Sequence, residues 1–141
     1  MPLTTHLDIV SAEALIYSGP ATKVVLPAET GELCVLARHA PLLTKLRPGL
    51  VRLANEFEAE QSFFISSGFV EVQPHIVTVL ADTVMRTRDL DEEAARTAME
   101  RTQKAIAAQP SAADYDKLMA ELRMEMALLR VIDQMRRQTK R

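Results

Sequence analysis

Residues 31–49, GELCVLARHAPLLTKLRPG, decide how the chain is read. Gly31 opens the stretch as a turn residue, and residues 33–36 follow as a short apolar strand. The run breaks at Arg38, His39, Ala40 and Pro41, resumes over 42–46 and closes on Arg47-Pro48-Gly49. Proline presets φ and glycine tolerates positive φ, so Pro48-Gly49 predicts a type II turn. Polar Glu32, Arg38 and His39 are thereby held between two apolar runs, the arrangement by which a rigid sheet presents an interaction loop.

Working outward, the same alternation recurs. Leu3, Thr5, Leu7 and Ile9 alternate with His6 and Asp8, the period-2 pattern of a half-buried strand. Short strands are predicted at 14–17, 22–26, 32–36, 42–46, 50–54, 60–65, 69–73 and 76–83. Turns are expected at Ser18-Gly19-Pro20, Glu29-Thr30-Gly31, Pro48-Gly49, Ser66-Ser67-Gly68 (as a hairpin turn) and Pro74-His75. Many short strands at this spacing predict a β-sandwich or flattened barrel rather than a mixed α+β fold.

The composition changes near Arg88. Beyond it there is no glycine, and Ala, Glu, Arg, Met and Leu dominate. Two helices are expected. Asp89 would cap the first, with Glu92 three residues on and the acids opposing the positive end of the dipole. Its apolar stripe is shallow: Ala94, Ala95, Ala98, Met99, Ala105, Ile106. Gln109-Pro110 stops it, and Ser111 to Asp114 offers a second capping box. Tyr115, Leu118, Leu122, Met126, Leu129 and Ile132 then recur at spacings of three and four, widened by Met119, Met124, Leu128 and Val131. So short a link predicts an antiparallel hairpin. The division expected is a sandwich over 1–87 and a two-helix hairpin over 88–141. An alanine face cannot cover so much Leu, Ile, Val and Met, so the second helix needs a further surface.

A length of 141 residues and 48% apolar content suit a small domain with an appendage. No apolar run approaches the roughly 18 residues of a membrane span, and the N-terminus does not read as a secretory signal. A net charge of −2 gives no reason to bind nucleic acid.

Catalytic and metal chemistry find little support. His6, His39 and His75 lack short ligand spacing, no G-x-S-x-G elbow occurs, and no glycine-rich phosphate loop is present. Cys34, within an apolar strand, reads as a buried and inert thiol that cannot form an internal disulfide. The acids at 89–93 read as a helix start. His39 reads equally as a turn residue and as a partner contact.

GEL followed by HAPLLT and a Pro-Gly turn (31–49), VQPxxVTVLAD (72–82) and the opening HLDIVSAE (6–13) together resemble the epsilon subunit of bacterial F-type ATP synthases. The likeness spans roughly the first 90 residues in order. It implies a non-catalytic central-stalk subunit: a sandwich that joins the gamma subunit to the c-ring, and a hairpin that extends along gamma to limit ATP hydrolysis. It implies a peripheral place on the cytoplasmic face of the bacterial inner membrane, with membrane contact only through the complex. By this resemblance Gly31, Glu32, Arg38, His39, Ala40 and Pro41 form the c-ring and gamma interface. The hairpin's second helix, through Leu122, Met126, Leu129, Arg130, Ile132, Arg136 and Arg137, would reach the catalytic alpha/beta head. Its end is basic: Arg130, Arg136, Arg137, Lys140 and Arg141 against the single acid Asp133.

Some positions depart from the family pattern. Cys34, Ala37 and Arg38 stand where Gly, Pro and Gly are usual, and His75 replaces a turn glycine. The family's ATP-binding pattern falls on residues 90–95 with Ala94 at the arginine position, so no cofactor is expected: alanine cannot grip phosphate. Readings of another class are a free-standing adaptor whose hairpin binds an unrelated protein, and a small-molecule sensor.

Overall fold

The structure, a computed structural model, describes residues 3–56 and 58–139, with side chains to residue 137. The chain divides after Arg88 into two compact units.

The first unit is built of ten strands: β1 Thr5–Ser11, β2 Leu15–Ala21, β3 Lys23–Ala28, β4 Gly31–Leu36, β5 Leu42–Leu46, β6 Gly49–Ala54, β7 Gln61–Ile65, β8 Gly68–Val72, β9 Ile76–Ala81 and β10 Val84–Arg86. Their order is β10-β7-β6-β3-β5-β8-β9-β1-β2, with β4 on the other side of β3. Every pairing is antiparallel except β1 with β9. β3 joins the two halves, because Lys23–Val25 pair with β6 while Ala28 pairs with Leu46 of β5. At the opposite seam Arg86 Nη2 donates to the Ile16 carbonyl (3.5 Å), and its guanidinium lies 5.4 Å over the Phe63 ring. Tyr17 packs against the same ring. The result is a nearly closed sandwich.

Period-2 alternation turns Leu7 and Ile9, Val24 and Leu26, Val51 and Leu53, Val70 and Val72, and Val77 and Val79 into one core with Val35, Phe63 and Ile65. At about 1.5–3 kcal/mol per fully buried large apolar side chain, this core is the main stabilising term of the unit.

Several local expectations are corrected. Ser18-Gly19-Pro20 lies within β2 rather than in a turn. Proline is tolerated there because β2 ends the strand order and needs no donor on its free side. Ser66-Ser67 is no hairpin turn. β7 pairs with β6 and β10, β8 with β5 and β9, so these serines carry the chain round a corner between the two halves. The corner is fastened by Ser66 N–H to Thr83 O and by Thr83 N–H to Ser66 Oγ (3.0 Å). Gly68 is required by close approach, since a Cβ there would stand 1.9 Å from the Leu80 carbonyl oxygen. The run 76–83 breaks after Ala81, and β10 was not anticipated.

Gly31 has positive φ (139°), as its turn demands, but Gly49 does not, so Pro48-Gly49 is no type II turn. Gly49 is already paired with Ile65 in β6, packed close to the Pro27 ring. Cys34 is exposed. Its strand β4 pairs only with β3 and buries one face, so Val35 points inward while Glu32, Cys34 and Leu36 point out. An unbroken apolar run had concealed that alternation.

The second unit follows a 3-10 turn over Thr87–Asp89 and contains α1 Glu92–Ala107 and α2 Ala112–Thr139. The α1 cap is Asp91, not Asp89: its side chain accepts from the amides of Glu93 and Ala94. The 3-10 turn already takes up Asp89 and delays the helix by two residues. Gln109 adopts φ 58° just past the helix end and donates its amide to Ile106 O, a left-handed stop without glycine. Ser111 Oγ accepts from the Asp114 amide at the start of α2. The helices pack antiparallel, with Thr102 opposite Glu125 and Glu92 opposite Arg136.

Candidate interaction surfaces

The expected interface residues of the sandwich come from two neighbouring segments. Glu32 is exposed, but it sits in β4 rather than in a loop, and Arg52 Nη2 reaches it across β3 at 3.3 Å. Gly31 ends the two-residue hairpin between β3 and β4. Arg38, His39, Ala40 and Pro41 lie in the connection to β5. Arg38 holds φ 66°, the left-handed region that a side chain adopts at a cost, and its amide donates to Pro74 O (2.9 Å). His39 is half-buried, not fully exposed; its ring donates from Nδ1 to the Ala40 carbonyl (2.7 Å) and its amide to Leu36 O. That leaves Arg38, Ala40 and Pro41 outermost in the loop.

A larger feature escaped the sequence. Lys45, Phe69, Leu80, Val10 and Leu15 are consecutive partners across β5, β8, β9, β1 and β2, forming one outward row. Phe69, Leu80 and Leu15 are about half exposed, and Leu43 in the adjoining row is 70% exposed. A shallow groove of about 430 Å³ runs along the row, between Val10–Ala12 and Lys45. Runs such as IVTVLA read as apolar on both faces. The available signal was parity: with Val77 and Val79 inward, Leu80 must face out.

Beyond Leu43, the row beside it is polar: Glu71, Thr78, Asp8 and Ser18. Ser18 Oγ donates to Asp8 Oδ1 (2.7 Å), and His6 Nε2 lies 2.8 Å from the same oxygen. The Ser18 hydrogen bond, opposed by partial burial and aided by His6, holds the Asp8 carboxyl below its ordinary value of 3.8. Among the described residues no group of three or more His, Cys, Asp or Glu is placed to hold a metal.

In the helical unit, Leu122, Leu129 and Ile132 are half-buried, while Met126 is exposed. The side chain buried in its stead is Glu125, giving a stripe 118, 122, 125, 129, 132 at alternating spacings of four and three. Reading only apolar residues hid it; the heptad spacing would have found it. On α1, Thr102 is buried and was likewise missed, while Ala94 is exposed. Arg130 is exposed, Arg136 pairs with Glu92, and Arg137 pairs with Asp133 at 3.2 Å. Lys140 and Arg141 lie outside the described residues. Ala94 lines a shallow depression with Asp91, Glu93, Thr97, Ala98 and Arg101. Two carboxylates against one arginine make it a poor phosphate cradle.

The sandwich and the chain as a whole both have relatives. Residues 4–87 match the family described as "ATP synthase, Delta/Epsilon chain, beta-sandwich domain". The ATP synthase epsilon chain of Alkalilimnicola ehrlichii is 51% identical over 138 residues, covering 98% of this chain and 99% of that one. This chain belongs to the ATP synthase epsilon family. The epsilon chain of Thioalkalivibrio sulfidiphilus is 50% identical over 141 residues, covering 99% and 100% of the two chains. A chain in the Euglena gracilis mitochondrial ATP synthase, in a structure containing OSCP, F1 and the c-ring, shares the fold with a TM-score of 0.78. It does so at 22% identity, over 91% of this chain and 81% of that one.

Proposed function

We propose that this epsilon-family chain couples c-ring rotation through gamma to the catalytic head, and that its hairpin restrains ATP hydrolysis. The chain is an accessory subunit of ATP synthase; catalysis belongs to other subunits. The observation that carries the coupling role is the outward row from Lys45 to Leu15. A sandwich face with Phe69, Leu80 and Leu43 in water is larger than a free-standing surface needs, and it suits a permanent neighbour. We assign this face and the 37–41 loop to gamma, and the Gly31–Glu32 turn with Arg52 to the polar loops of the c-ring. Arg136, Arg137 and Arg130 on the open hairpin would steer toward acidic surfaces of the alpha/beta head, with Leu122, Leu129 and Ile132 as anchors. No helix among the described residues is long and apolar enough to cross a membrane. We place the protein at the cytoplasmic face of the inner membrane, held there through the complex. The test is assembly. Leu43→Asp combined with Phe69→Ser should leave the free chain folded yet lose it from the purified complex. Retention of that variant with gamma and the ring would refute the assignment of this face.

A further inference from the structure

We propose that Glu125 is a release element built into the helical hairpin, a buried carboxylate that weakens the closed form and favours its opening. This rests on the hairpin reading given above. Glu125 is 7% exposed, in the middle of the α2 stripe that faces α1. Its Oε1 accepts one hydrogen bond, from Thr102 Oγ1 across the hairpin at 2.7 Å. Its Oε2 is closed off from solvent and has no hydrogen-bond partner. The single hydroxyl proton of Thr102 is also within reach of Ala98 O at 3.1 Å, so even the one bond is contested.

A carboxylate has about four acceptor sites, and burial with one of them met is unfavourable. None of the described ion pairs of the hairpin includes Glu125: they join Glu92 to Arg96 and Arg136, and Asp133 to Arg137. The charged side chain one turn away on its own helix is Glu121, which is exposed; Arg130, five residues on, is exposed as well. From α1 the facing group is the neutral Thr102. Opening the hairpin returns both carboxylate oxygens to water while giving up one hydrogen bond. An apolar residue at this position would seal the stripe that Leu118, Leu122, Leu129 and Ile132 begin, so the carboxylate trades closed-state stability for ease of release.

The test is amide hydrogen exchange across α1 and α2 in the free full-length chain, which reads local opening directly. Glu125→Gln keeps the shape and removes the charge; it should slow exchange at least several-fold. Glu125→Met should slow it roughly tenfold, because its burial requires no partner. Thr102→Val should speed exchange by leaving the carboxylate wholly unpartnered. Exchange in Glu125→Gln at or above the parent rate would overturn the proposal, and that variant is decisive even if methionine packs poorly. Hydrolysis by the assembled complex separates this from the reading beneath it. Slowed exchange with raised hydrolysis supports both. Slowed exchange with unchanged hydrolysis leaves Glu125 as the release element and refutes the hairpin's braking role.

Discussion

Arg136, near the end of α2, pairs with Glu92 in the first turn of α1, and Glu92 also holds Arg96 at 2.9 Å. Arg136 is therefore engaged within the closed hairpin, while Arg137 pairs along its own helix. Glu92→Gln should loosen the hairpin ends by the 0.2–1 kcal/mol or so of an exposed pair. Amide exchange in the last turns of α2 checks this, and the difference from the parent should shrink in high salt.

Arg38 holds a left-handed backbone where the family pattern has glycine. Arg38→Gly should raise the stability of the sandwich by about 1 kcal/mol, since the Cβ penalty is removed. Denaturant unfolding of the full chain measures it. Gly68→Ala should do the opposite, by the ~1–3 kcal/mol of an overpacked site or more, because the obstacle is the Leu80 backbone.

The Asp8 carboxyl is held below 3.8 chiefly by Ser18. A carboxylate with a depressed folded-state pKa stabilises the protein above its unfolded value, and the contribution is lost as pH falls through the lower one. Ser18→Ala should move the Asp8 titration upward toward the ordinary value and make acid unfolding begin at higher pH. Carboxyl carbon NMR titration of parent and variant is the check.

ATP should bind weakly or undetectably. Ala94 offers no guanidinium, Arg96 is paired with Glu92, and the depression beside Ala94 sets Asp91 and Glu93 against Arg101. Calorimetric titration should show no heat of binding at micromolar ATP. Saturation in that range would show that Arg101 or another cation substitutes.

Much of this architecture was legible. Alternation in THLDIV fixes which side chains face the core, and Gln109-Pro110 followed by Ser111 punctuates the helices. What escaped depended on pairings distant in sequence. Ser66-Ser67-Gly68 looks like a hairpin turn until β7 and β8 are seen to take different neighbours. Cys34 looks buried until β4 proves to cover one face only. Thr102 and Glu125 are polar, so a search for apolar stripes passes over the two residues that meet in the hairpin. The row from Lys45 to Leu15 needs five strands in register before it exists at all. The Gly31–Pro41 segment drew notice through its turn chemistry, and the family resemblance supplied its meaning.

A hairpin proposed to restrain hydrolysis, on a sandwich proposed to hold the rotor together, can be tested by truncation. Deleting the chain from Val131 onward removes Ile132, Arg136 and Arg137 and leaves the sandwich core untouched. The measurement is the ATP hydrolysis rate of the assembled complex at low salt, carrying either the full-length or the truncated chain. A higher rate with the truncated chain, in complexes of unchanged subunit content, is the result this account predicts. Equal rates would contradict it, and the basic end of α2 would then be a capped and solvated helix terminus.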